Sequence, residues 1–166
     1  MKKHLLLAAA VLICFSGRAQ SDSLKWVKEI NEQVWKPFIV HLTSGNNEGF
    51  SKLHSKRITR VTIDDGTILD YEKYFPPQSN NSNTQQKTTS LLFELRFDKR
   101  ISNGTKAWET GYYKGRVMKG GVEQRSYYGR FFVVLEKEEG DWKIIVDADT
   151  GAGATVENFN KASSLE

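Results

Sequence analysis

An α+β fold, a curved antiparallel sheet wrapped on N-terminal helices, is what this 166-residue sequence predicts. Two patterns and their order carry the prediction. An early stretch repeats its apolar residues at helical period, and the last third reads as successive strands ending in a Gly-Asp-Trp hairpin. Helices first and a sheet afterwards is the α+β order. A strongly twisted meander with helices on its concave face closes a cone, which leaves a chamber between helix and sheet.

The elements follow in turn. Ser21 and Ser23 offer N-caps, and Val27, Ile30, Val34, Phe38 and Leu42 then recur at three- and four-residue steps, with Lys25, Lys28, Glu29, Glu32 and Lys36 on the other face. Pro37 removes a backbone donor, so a kink or restart is expected near residue 34. A short second helix is expected at 47–54 and a strand at 56–63, followed by an Asp64-Asp65-Gly66 turn. Residues 70–75 read as a helical turn. Residues 76–89 are rich in Pro, Ser, Asn, Gln and Thr with no apolar residue, which predicts a mobile loop. Leu91, Phe93, Leu95 and Phe97 alternate with Leu92, Glu94, Arg96 and Asp98 in the next strand. Asn103-Gly104 turns it into a partner at 107–118, and Gly120-Gly121 turns that into a third. Residues 131–135 are apolar on both faces, as a central strand with both faces covered would be. Gly140-Asp141 leads into 142–148, and a polar tail with weak helical potential spans 151–166.

Residues 1–19 read as a cleavable secretory signal: Lys2, Lys3 and His4, an apolar run from Leu5 to Phe15, and Gly17 and Ala19 before the cut. Ile13 before Cys14 argues against a lipoprotein signal. The leader holds Lys2, Lys3 and Arg18 and no acid, so its removal takes the net charge from +4 to +1. The pI near 9.1 is then poor grounds for a nucleic-acid partner, and no membrane association is expected after cleavage. Cys14 is the only cysteine and leaves with the leader, which excludes disulfides and thiolate chemistry in a secreted or periplasmic mature chain. Residues 20–150 make one cone domain.

Several pieces, in this order, resemble the nuclear transport factor 2-like superfamily, nearest its SnoaL-like branch of domains of unknown function. They are V-W-K-P-F-I at 34–39, L-H-S at 53–55 leading into K-R-I-T-R-V at 56–61, E-T-G-Y-Y at 109–113, Y-G-R-F-F-V-V-L at 128–135 and D-W-K-I-I-V-D at 141–147. The resemblance implies a cone-shaped α+β barrel of cystatin-like topology, often dimeric through the sheet. Its members include ketosteroid isomerase, dehydratases, cyclases, association domains and proteins of no known activity, so the fold alone does not choose a function. No catalytic residue carries over residue by residue.

The candidate pocket residues are Trp35, Phe38, His54, Glu109, Tyr113, Tyr128, Arg130 and Asp147. Glu109, Gly111 and Tyr113 share one strand face, which suits a general base beside a phenol; the plainer reading is a cross-strand ion pair. Asp147 and Asp149 share a face with Ile145 and are placed to meet Arg130 or Tyr128, either gripping a ligand carboxylate or closing the cone's mouth. His41 and His54 read as capping or surface histidines, with a dehydratase-like His/Asp pair as the alternative. Trp35, Phe38, Tyr112, Tyr113, Tyr127, Tyr128, Phe131 and Phe132 would suit a flat apolar ligand or an ordinary core. No metal-ligand spacing, phosphate loop or nucleophile elbow occurs, so no cofactor and no metal are expected. Two functions stay open: a secreted domain that binds a small apolar or amphipathic molecule, or dimerises through its sheet, and an acid–base enzyme of isomerase, dehydratase or cyclase type.

Overall fold

The computed structural model describes residues 24–77 and 89–165, so the predicted leader and nearly all of the predicted 76–89 loop lie outside it. Its N-terminal helix is one rod in three parts: α1 (24–30), a π-helical turn Asn31–Trp35, and α2 (Lys36–Ser44). Pro37, in the first turn of α2, has no N–H and would crowd the preceding turn of an unbroken α-helix. The wide turn accommodates it: the Lys36 N–H bonds back five residues to the Asn31 carbonyl. This is the break expected near residue 34. It turns Asn31, Val34 and Trp35 inward together, all buried.

Gly45, at φ +71°, ends α2, and Asn46 caps α3 (Asn47–Lys52) by accepting the Gly49 N–H at 2.9 Å. The strands are β1 (His54–Thr62), β2 (Thr67–Leu69), β3 (Thr89–Ser102), β4 (Lys106–Lys119), β5 (Val122–Glu138), β6 (Asp141–Thr150) and β7 (Ser163–Ser164). Between β2 and β3, Asp70 caps the single turn α4 (Tyr71–Tyr74). All seven strands form one sheet in the order β2-β1-β6-β5-β4-β3-β7.

The sheet is mixed where the sequence predicted a purely antiparallel one. β1 lies parallel to β6, with Arg60 opposite Asp147 and Thr62 opposite Asp149. The pair is non-sequential and the chain between the two strands is long, which is the condition a parallel pair requires. The tail also differs from expectation. Thr155 caps α5 (Val156–Lys161), whose Phe159 is buried against Tyr128 and beneath the Arg96 guanidinium, and β7 then extends the edge of β3.

Register shifts interrupt four of the ladders, and two of these bulges matter to the core and the site. One inserts Asp98 between Phe97 and Lys99 in β3, and the other inserts Ile145 in β6, where Leu135 pairs with Ile144 but Val134 with Val146. The core lies between the helical rod and the concave face: Ile30, Val34, Trp35, Ile58, Leu95, Phe97, Phe131, Val133, Leu135, Trp142 and Ile144. β5 is central, as expected. Its Phe131, Val133 and Leu135 are buried inward, while Phe132 and Val134 are only half-buried on the convex face.

Candidate functional site

The predicted chamber exists. It is a pocket of about 200 Å³ between the helical rod and the concave sheet. Trp35, Phe38 and Leu42 line it from the rod and Phe50 from α3; Leu91, Phe93, Leu95, Phe131, Val133 and Ile144 line it from the sheet. One end is polar: Arg60 from β1, Tyr74 from α4, Tyr113 from β4, Tyr127 from β5, and Asp147 and Asp149 from β6.

The β6 bulge builds this end. Residues 144 and 147 would point to opposite faces of a regular strand. The extra residue at Ile145 brings Ile144, Asp147 and Asp149 to the concave side together. Arg60 then lies beside both acids on the parallel strand. Its Nη2 donates to Asp149 Oδ1 at 2.7 Å, and its Nη1 to the carbonyls of Val61 and Asp147 at 3.0 and 3.2 Å, with Asp147 Oδ1 3.6 Å away. The Tyr74 hydroxyl donates to Asp147 Oδ2 at 3.3 Å and the Tyr113 hydroxyl to Asp149 Oδ2 at 3.0 Å.

Glycines place the two phenols of the sheet. Gly129 lies opposite Tyr113, and a Cβ there would sit 2.0 Å from the ring. Gly115 lies opposite Tyr127, where a Cβ would come within 2.2 Å. Each tyrosine therefore lies flat over a glycine of the neighbouring strand, an arrangement that any side chain at 115 or 129 would disrupt.

Burial sets the electrostatics. It pushes the Asp147 carboxyl above the ordinary carboxylate range, against the pull of Arg60. Burial and the adjacent carboxylates also raise the Tyr74 and Tyr113 phenols, so both remain protonated donors. Burial opposes the charge on Arg60, but Asp147, Tyr74 and Asp149 outweigh it and hold the guanidinium more firmly protonated.

Of the sequence candidates, Trp35, Phe38, Tyr113 and Asp147 line the chamber and four do not. Glu109 is 1% exposed, and both oxygens of its carboxylate are partnered: Oε2 accepts the Trp35 indole N–H at 2.5 Å and Oε1 the Arg100 Nε–H at 2.8 Å. Arg100 stands directly opposite Glu109 and also donates to Asn31 Oδ1 at 2.7 Å, so the plainer cross-strand reading describes it. His54 caps the last turn of α3, as one reading had it, but is buried and not at the surface. Its Nδ1 meets the Phe50 carbonyl at 2.9 Å, and its ring packs among Phe50, Tyr74 and Phe75 behind the chamber wall. Desolvation lowers it to about 4, so it is neutral at neutral pH.

Tyr128 and Arg130 are on the wrong face. β5 sends its odd residues inward, so these two reach the convex side, Tyr128 against Phe159 and Arg130 over Tyr112 and Phe132. Arg130 pairs there with Asp98 at 3.7 Å, and the partner of Asp147 and Asp149 is Arg60. Sequence reasoning named Asp149 beside Asp147 and Tyr127 among the aromatics, and missed Arg60 and Tyr74. The alternation Tyr113-Gly115 against Tyr127-Gly129 was a readable signal for the inward phenols, whereas the parallel β1–β6 pairing left none for Arg60.

Among the described residues, no cluster of three or more His, Cys, Asp or Glu side chains is placed to hold a metal ion, and no helix is long and apolar enough to cross a membrane.

No family model matches the sequence, and no curated protein matches it. Solved structures do match. A nuclear transport factor 2-like protein with a cystatin-like fold from Novosphingobium aromaticivorans superposes with a TM-score of 0.56 at 11% identity, over 85% of this chain and 91% of that one. The CaMKII hub homology domain of Chlamydamonas reinhardtii gives 0.56 at 14% identity, over 78% and 96%. A provisionally named ketosteroid isomerase from Shewanella frigidimarina gives 0.53 at 16% identity, over 75% and 97%. At these identities the likeness establishes the fold.

Proposed function

The chain has the nuclear transport factor 2-like fold, and we propose that it is a SnoaL-like domain whose task is to bind a small amphipathic molecule in the cone. The lining of the chamber carries this reading: an apolar, largely aromatic body closed at one end by a hydrogen-bonded polar group. A dry cavity of about 150 Å³ is enough to admit benzene. A chamber of about 200 Å³ suits one ring and a short polar arm.

The test is calorimetric titration with single-ring phenyl probes, repeated on Val133→Phe, which fills the chamber from the sheet side. Binding to the parent, at least tenfold weaker in the folded variant, is expected. Binding untouched by the substitution would remove the chamber as the site.

A second reading, an acid–base enzyme of isomerase, dehydratase or cyclase type, is favoured by one observation. The two carboxyls of the chamber are held differently: Asp147 is pushed up by burial, and Asp149 is bound by Arg60. Such an enzyme would catalyse deuterium uptake from D₂O into a small aryl ketone, and Asp147→Asn would abolish it. A rate equal to buffer alone would refute this reading.

Two further parts belong to the proposal. Export through a cleaved leader predicts a mature N-terminus at Gln20, which mass spectrometry of the secreted protein reads. Self-association through the convex face is supported by Ile101 and Trp108, exposed and directly opposite each other on β3 and β4. Light scattering should then give a dimer that Trp108→Glu reduces to a monomer, and a monomeric parent would refute it.

A further inference from the structure

Resting on the chamber being a ligand site, we infer that it selects a molecule with a cationic, hydrogen-bond-donating head, a primary or secondary amine on a single-ring apolar body, and rejects the corresponding carboxylate. The chamber supplies the site, and the excess of acceptors and of acidic groups at its polar end supplies the selectivity.

Three of the five N–H groups of Arg60 are already committed, one on Nη2 to Asp149 Oδ1 and two on Nη1 to the carbonyls of Val61 and Asp147. Tyr74 and Tyr113 likewise spend their protons on Asp147 Oδ2 and Asp149 Oδ2. What the end offers in greater supply is acceptor capacity, since each carboxylate oxygen takes about two hydrogen bonds and each phenol oxygen accepts as well. An anionic head would meet two acids beside the one guanidinium.

Charge points the same way. Two carboxyls face one guanidinium, and their side chains are 14%, 21% and 15% exposed in the order Asp147, Asp149, Arg60. Burial, with the charge of Asp149, holds Asp147 above its ordinary range against the pull of Arg60, and two acids facing one guanidinium leave a place for a second positive charge. An incoming ammonium supplies that charge. The faces of Tyr74, Tyr113 and Tyr127 on the same lining add the quadrupole attraction that aromatic walls exert on a cation.

The experiment compares three probes that share one apolar body: 2-phenylethylamine, 2-phenylethanol and 3-phenylpropanoate. Each is titrated into the purified protein at pH 7.5 by calorimetry, with thermal shift as a second readout. The expected result is an amine at least tenfold tighter than the alcohol, no measurable binding of the carboxylate, and loss of that tenfold preference in Asp149→Asn.

Equal or tighter binding of the alcohol or the carboxylate would overturn the amine inference and leave the chamber reading standing. Binding of none of the three would overturn both. The comparison of probes on the parent protein decides the matter even if the variant fails to fold.

Discussion

The molecule holds two arginine–carboxylate groups on its concave face, and they do opposite things. At Arg100–Glu109 every neighbour is a partner: Trp35 and Arg100 cover the two carboxylate oxygens, Asn31 takes a second guanidinium nitrogen, and Phe97 stacks 4.0 Å from the guanidinium. At Arg60–Asp147–Asp149 there are two acids for one base, and the group borders the chamber. Residue types do not separate a structural ion pair from a recognition site. What separates them is how many acids face the one base and whether space remains beside them.

The most forceful way to break the comparison is to neutralise one acid in each group. Glu109→Gln keeps an acceptor for the Trp35 indole but leaves Arg100 as a buried guanidinium without its counter-ion. Removing one partner of a buried pair costs about 3–5 kcal/mol. Asp149→Asn leaves Arg60 near Asp147 and bonded to two carbonyls, with solvent able to enter the chamber, and should cost about 1 kcal/mol or less. Urea unfolding followed by circular dichroism reads both. Equal costs would mean that the second group is as sealed as the first and that the chamber is closed to ligands.

How far the sequence reached has a physical reason in each case. The rod, the Pro37 break, the inward row Leu91, Phe93, Leu95 and Phe97, and the hairpins were legible because period and turn chemistry are local. Glu109, Gly111 and Tyr113 do share a face, but residue 109 lies deep beside Trp35 and residue 113 at the chamber. Depth along a strand leaves no periodic mark. The two bulges were invisible in the same way: an inserted residue swaps which neighbours share a face, so Ile144, and not Ile145, accompanies Asp147. Arg60 was out of reach because its partners lie on a strand more than eighty residues away, paired in parallel.

His54 sharpens the contrast from a third side, as a buried titratable group with no counter-charge. Its folded value of about 4 lies below the ordinary 6.5, so between those pH values the unfolded chain takes up a proton that the native chain refuses. Its contribution to stability is therefore complete above pH 6.5, falls as the pH drops, and levels off near pH 4. The full shift is worth roughly 3 kcal/mol. Asp147 pulls the other way, because a raised carboxyl favours the folded state as the pH falls. The difference between the parent and His54→Phe isolates the histidine: the variant should lose less stability between pH 7 and pH 4.5. Parallel losses would place the acid sensitivity elsewhere.

The smallest expected effect tests the open group most directly. Asp147 has its folded value raised above the ordinary 3.8, so ionising it works against the folded state. That deficit begins as the pH climbs past 3.8 and is complete once the pH exceeds the raised value. Asp147→Asn removes the deficit, keeps the shape and leaves an acceptor for the Tyr74 hydroxyl. At pH 7 the variant should be as stable as the parent or more stable by up to about 1 kcal/mol, a gain that disappears at pH 3. A residue retained for packing would show the opposite sign, destabilising at both pH values. A carboxylate that weakens the fold at neutral pH, in a corner already supplied with acceptors, is the kind of group a chain keeps for something other than stability.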